Sequence, residues 1–422
     1  MKKLFTLVVI LGLLTNITYG SGFQLNEHGA RAMAMAGAFT GLANDPSAIY
    51  FNPAGITQLN GTQFYLGATM IMPLSSYTSP QPSLSTTDMV GQIFTPINFY
   101  VTHQFSNKLY VGLSVNNQYG LGTKWDPNWI GRYNAVETSI TTFYFTPVIA
   151  YKLLDNLSIS AGPTIAIASI KMSSRTHNPV NPAQDPLITL TGDNVTGIGF
   201  TAGILFKPSD KLQIGASFRS QTKFDLTGTA VSDPATFYHP VYKVNFPFPN
   251  GTVASQLTTP ANATLGLAFM PNTDWTMTFD FQYVGWSSYD KLDLTFNTYN
   301  LTNPLAAGPT TESIPRNWQD SYILRLGFEY KASADFAVRF GVLYDKNPIK
   351  DEFVDPTLPD ADRVGLNIGF GGKLTNHLGI DFSYMFLSFA DRTISNSNPA
   401  IGFNGTYTNS AHLIGCNFSY SL

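Results

Sequence analysis

Nucleophilic or metal-assisted chemistry in this chain would have to be built from six histidines and one cysteine, and their spacing supports neither. His28, His103, His177, His239, His377 and His412 are scattered, with no metal-ligand spacing and no serine–histidine–acid arrangement. Cys416 stands alone and makes no intrachain disulfide. The net charge of −3 comes without any basic block, so nucleic acid is not an indicated partner, and no cofactor is indicated. What the sequence does offer is aromatic side chains clustered in polar connections, the means to hold an apolar molecule. ATFYHPVYKVNFPFP carries Phe237, Tyr238, Tyr242, Phe246 and Phe248, and WDPNW carries Trp125 and Trp129, with Tyr133 just beyond. Such residues either bind an apolar ligand, pack their own loop, or form an interfacial girdle.

The elements that must position them alternate with period two. In LYVGLSVN, Leu109, Val111, Leu113 and Val115 share one face, while Tyr110, Gly112, Ser114 and Asn116 share the other. FAVRFGVLYD and RVGLNIGFGGK repeat the pattern, an apolar face opposite a small, polar or charged one. Charged residues are 12% and aromatics 14% of the chain, against about 25% charged in ordinary soluble domains. Together these features describe strands between lipid and a lumen. No apolar run after residue 20 is long enough for a membrane helix, which needs about 20 residues. Tight turns near 106–108, 154–156, 209–211, 272–274, 332–335 and 375–377 alternate with long connections at 74–96, 120–134, 174–196, 231–260, 293–318, 347–361 and 391–409. The spacing predicts an all-β membrane protein, a 14-stranded antiparallel transmembrane β-barrel over 62–422. An even count puts both chain ends at the short-turn rim, expected to be periplasmic. MKKLFTLVVILGLLTNITYG (1–20) reads as a secretory signal peptide.

Residues 21–61 do not alternate. ARAMAMAGAFTGLA suits a short, tightly packed helix, and two capping signals follow, at Asp45-Pro46 and at Asn52-Pro53-Ala54. A compact segment entering from the rim packs most simply in the lumen, because wall side chains alone do not fill a barrel of this width. The expected arrangement is a small N-terminal helical hatch plugging the lumen. By alternation Arg219, Asp280, Arg325, Glu329, Arg339, Asp345, Arg363 and Asp381 face the lumen. They are expected to pair with one another or with Glu27, Arg31 and Asp45 of the hatch.

SGFQLNEHG, GAFTGLANDPSAIYFNPAG, YGLGTKWDPNWIGRYNA, YVGWSSYDKL, RNWQDSYILRLGFEY and RFGVLYDKNPIKDEFVDPTLPDADR occur in this order through residues 21–422. In them the chain resembles the outer-membrane long-chain fatty-acid transporters (FadL-type), which include aromatic-hydrocarbon uptake channels. Leu422 departs from the terminal aromatic usual in such barrels. The resemblance implies passive uptake of hydrophobic molecules, fatty acids or hydrocarbons, by a protein expected to be monomeric in outer-membrane lipid. It implies capture between outer loops, where Phe237, Tyr238, Phe246 and Phe248 lie, then a lumenal pocket near Phe23 and hatch-gated release involving Asn52, Pro53 and Ala54. It points to Lys171 or Arg175 for a carboxylate. It also implies a kink in the third strand, for which NNQYGLG offers Asn116, Asn117 and Gly120. A general porin is the competing reading.

Overall fold

The computed structural model describes residues 22–301 and 308–422; the leader expected at 1–20 lies outside them. Among the described residues the chain crosses the wall fourteen times, in an antiparallel order that closes on itself. The spans are β1 Thr62–Thr78, β2 Ile97–Gln104, β3 Leu109–Asn116 continued by Gly120–Lys124, β4 Glu137–Leu154 and β5 Leu157–Arg175. Next come β6 Leu187–Ser209, β7 Leu212–Arg219 with Thr222–Asp233, β8 Gly251–Thr259 with Asn262–Phe269, and β9 Trp275–Val284 with Lys291–Phe296. The wall is completed by β10 Thr310–Pro315 with Ser321–Lys331, β11 Phe336–Asp345, β12 Arg363–Lys373, β13 Leu378–Phe389 with Arg392–Ile394, and β14 Gly405–Ser421. β1 pairs with β14 from Gln63↔Ser421 to Thr78↔Thr406, which closes the barrel and leaves neither terminal strand as a free edge.

Alternation sets the two faces. Val338, Phe340 and Val342 on β11 and Leu366, Ile368 and Phe370 on β12 are exposed on the outside, while Arg339, Asp345 and Asn367 are buried toward the lumen. The six tight turns lie at one rim and the long connections at the other, as the sequence predicts.

Residues 22–61 fill the lumen. α1 (Ala30–Ala34) is shorter than the small-residue run suggests, because Ala36 and Gly37 take positive φ (57° and 74°) and end it within two residues. α2 (Ala48–Phe51) follows a turn in which Asp45 Oδ1 accepts from Ser47 N at 2.9 Å. The third element is a 3-10 helix, Pro53–Gln58, capped by Asn52, whose Oδ1 accepts from Ala54 N at 3.2 Å. The same tripeptide starts a 3-10 turn at Asn181, and Asn398 accepts from Ala400 N, so Asn-Pro-Ala serves all three times as a capped turn.

Three devices hold this segment. Asn52 Nδ2 donates to Thr40 O at 3.0 Å and to Ile204 O of β6 at 2.9 Å, joining segment to wall. Inward glycines of the wall let backbone meet backbone: a Cβ on Gly266 would lie 2.6 Å from Gly41 N, and one on Gly341 2.6 Å from Ala36 N. The third device is charge. Arg31 pairs with Glu329 at 2.9 Å and Asp45 at 3.4 Å, and Arg339 bridges Glu329 (2.6 Å) to Asp381 (2.7 Å). Asp280 Oδ2 accepts from the Phe39 and Thr40 N–H groups at 3.0 and 2.9 Å. Tyr50 lies between Arg219, 4.0 Å from its ring, and His28, whose ring is 3.6 Å away. Burial, with Arg219 nearby, lowers the His28 pKa to about 3, so this imidazole is neutral.

Candidate ligand-binding site

The site begins where β3 breaks. Its ladder with β4 is interrupted between Asn116 and Gly120, and the Asn117 side chain takes over part of it. Asn117 Oδ1 accepts from Ile97 N at 2.8 Å, and its Nδ2 donates to Thr142 O. The backbone groups this frees are met by the N-terminal segment. Leu25 N donates to Gln118 O at 2.9 Å, Gly120 N donates to Phe23 O at 3.0 Å, and Gln24 bridges Tyr119. The start of the lumenal segment thus acts as a strand added to the broken one.

That pairing seats Phe23 in an aromatic cage. Its ring centroid lies 4.8 Å from Trp286, 5.9 Å from Tyr119 and from Trp318, and 6.1 Å from Tyr289, all edge-on. Edge-to-face pairs add about 0.5–1.5 kcal/mol each beyond their buried area. Gly22 N is tied in turn to Asp360 Oδ2 at 2.7 Å.

Phe23 divides two apolar cavities. One, of about 80 Å³, lies between Phe23 and the long-loop end, lined by residues such as Ile140, Met172, Leu226, Leu257, Leu292 and Phe353. The other, of about 450 Å³, is within the range of small-molecule pockets, about 300–1,000 Å³. Its lining mixes the two faces of the wall: Ile71 and Thr142 point inward, whereas Leu74 and Phe143 are outward residues, 52% and 37% exposed. It therefore reaches through the wall at the break, where β1 above Ala68 no longer pairs with β2: Thr69 N donates to Pro96 O, Ile71 bridges Phe94, and pairing resumes only at Ser76–Thr78, with Thr86–Asp88.

The other residues singled out from sequence lie elsewhere. Phe237, Tyr238 and Phe246 belong to a separate hairpin, Thr236–His239 with Val244–Pro247, in which Phe237 stacks on Phe246 at 5.5 Å; Phe248 follows it, its ring 5.1 Å from Phe237. They line neither cavity, and Tyr238, Val241 and Tyr242 are exposed at the hairpin. Trp125 and Trp129 stack on each other at 4.4 Å, donate to Pro356 O and Ala135 O, and close the long-loop mouth without lining a cavity.

The carboxylate candidates are corrected. On β5 Ala166, Ala168, Ile170 and Met172 share the lumenal face, so Ile170 and Met172 face the cavity and Lys171 points away, paired with Glu137 at 2.9 Å; the bulge opposite Ala168 and Ile170 lies in β6 and leaves this alternation intact. Arg175 donates to Pro127 O and Asp185 O, bracing loops. The charged side chains at the inner cavity are instead Arg316 and Asp355, a pair from two different loops. Arg316 directly precedes the Asn-Trp of RNWQDSY, a quoted stretch that already held the cage residue Trp318.

The comparisons agree with this architecture. The family model described as outer membrane protein transport protein (OMPP1/FadL/TodX) matches residues 11–422. The long-chain fatty acid transport protein of Escherichia coli is 24% identical over 462 residues, covering 100% of this chain and 99% of its own. Among solved structures, a Pseudomonas aeruginosa FadL homologue aligns with a TM-score of 0.80 at 23% identity, covering 95% of this chain and 100% of its own. The Pseudomonas putida toluene transporter TodX aligns with a TM-score of 0.73 at 16% identity, covering 94% and 99%. The chain belongs to the OMPP1/FadL/TodX family of outer-membrane transport proteins, whose members move hydrophobic molecules.

Proposed function

We propose that this protein takes up long-chain fatty acids or aromatic hydrocarbons passively. Cargo is captured at the exposed aromatic hairpin, passes into the inner cavity, and leaves through the wall at the β3 break. Residues 22–61 are the hatch, the short-turn rim faces the periplasm, and the gate is the N-terminal strand with Phe23. The observation that carries this reading is the place of Phe23: it separates two apolar cavities, and its own strand occupies the break through which the second one opens. Displacing that strand joins the cavities and clears the exit in one motion.

Locking it tests the gate. With Cys416→Ala as background, cysteines at Gln24 and Tyr119, neighbours in an antiparallel bridge, would form a disulfide. Oxidation should abolish uptake of a radiolabelled fatty acid by intact cells, and a reductant should restore it. Equal uptake with the lock closed would refute strand displacement.

The tether at Gly22 gives the gate a pH dependence. Burial raises the Asp360 carboxyl to about 6, with Asp345 adding to the rise, while Arg363, Arg392 and the Gly22 N–H pull it down. The Gly22 bond favours the ionised form, so the tether is strong above about pH 6 and weakens as a proton binds below it. A spin label at Gln24 should gain mobility as pH falls through about 6, and Asp360→Asn should flatten that profile. An unchanged titration in the variant would remove Asp360 from the gate.

A further inference from the structure

We infer that the inner cavity takes the polar end of its cargo in uncharged form: an alcohol, ester or other neutral acceptor, or a carboxylic acid carrying its proton, but not a free carboxylate. This rests on the uptake reading and specifies its substrate class.

Among the described lining residues of the inner cavity, the charged side chains are Arg316 and Asp355. They are paired with each other, and Asp355 also accepts from Thr357 N at 2.8 Å and from the Thr357 hydroxyl. The cation among the described lining residues is thus already paired with a carboxylate that also accepts from Thr357. Both residues are buried, Arg316 6% exposed. An ionised cargo would place a second carboxylate beside Asp355, leaving a buried pocket with unbalanced negative charge.

Two donors beside the cavity are spare, buried just beneath its surface. Arg316 Nε and Trp318 Nε1, both on lining residues more than nine-tenths buried, have no hydrogen-bond partner. Buried donors without partners are costly, and a neutral acceptor oxygen satisfies them without adding charge. The second cavity carries the same bias further. Its charged lining is Glu27, Asp360 and Arg363, and Arg363 is paired with Asp345 at 2.9 Å. From one cavity to the next, a free carboxylate would meet more acid than base.

The test is competition between decan-1-ol and decanoate for the protein in nanodiscs, read by native mass spectrometry. At about pH 8 an ordinary carboxylic acid, with a pKa of about 4–5, is ionised. The wild type should favour the alcohol by about tenfold or more. Asp355→Asn frees Arg316 and should move the ratio toward decanoate by about tenfold, or about 1.4 kcal/mol. Asp355→Glu should keep the wild-type preference. Lowering the pH toward the acid's own pKa should strengthen decanoate binding to the wild type, a readout that needs no variant to fold. Preference of the wild type for decanoate at about pH 8, or an unmoved ratio in a folded Asp355→Asn, overturns the inference while leaving uptake intact. Binding of neither compound would overturn the uptake reading itself.

Discussion

Substituting Gly215 with valine is expected to give a barrel that inserts and shows normal heat-modifiable mobility, yet no longer holds its hatch. Gly215 faces the lumen from β7, paired with Leu205 on one side and Gly266 on the other. A Cβ there would overlap the Thr40 carbonyl and lie 2.8 Å from Asn52 Nδ2, the group that bonds Thr40 O and Ile204 O. The obstruction is Cβ against backbone, which cannot be relieved by a rotamer change. Overpacking costs about 3 kcal/mol at the upper end of its usual range, enough to shift a docked segment about a hundredfold toward release. The wall ladder does not depend on the side chain at 215. Planar-bilayer recordings should therefore show a conductance rise over wild type, with fatty-acid uptake by cells sharply reduced. Gly91→Val, where a Cβ meets nothing within 4 Å, serves as the control. Wild-type conductance in an assembled Gly215→Val barrel would mean that the hatch is not held by this contact.

That belt of inward glycines shows how much was legible in the sequence and where it stopped. Alternation betrayed the wall because lipid on one side and lumen on the other act on every strand in the same way. The tight turns betrayed the topology because they alternate with the long links. Glycine at inward positions of neighbouring strands was equally visible, at Gly215, Gly266 and Gly341 for example, but its meaning depends on register, which sequence spacing does not supply. Lys171 failed for a different reason: it has the parity of the outward Ile159 and Ile165, so alternation already set it on the outer face, and only the family position pointed to the lumen. The Arg316–Asp355 pair joins the break in β10 to the connection after β11, 39 residues on, a contact set by how that long connection folds back over its neighbour. Asn117 was readable as an interruption. That its side chain would replace ladder bonds, leaving the backbone beyond it to the N-terminal strand, followed only from the coordinates.

The second large effect is expected at Arg339, substituted with methionine. Its guanidinium is the hub between β10, β11 and β13: Nε bonds Glu329, Nη1 bonds Asp381, and Glu329 in turn holds Arg31 of the hatch. Removing the hub leaves two carboxylates buried in the lumen with Arg31 as the remaining cation of the described cluster, since Asp45 already draws on it. Breaking one partner of a buried pair costs about 3–5 kcal/mol, most of it the desolvation of the charge left behind. The temperature at which the folded band is lost in heat-modifiability gels should fall clearly. The double variant Arg339→Met with Asp381→Asn should recover part of the loss, because one stranded charge is gone. A single variant as heat-resistant as wild type would show that water reaches this network and that its ion pairs contribute little. The hatch would then depend on its backbone contacts with the wall and on Asn52.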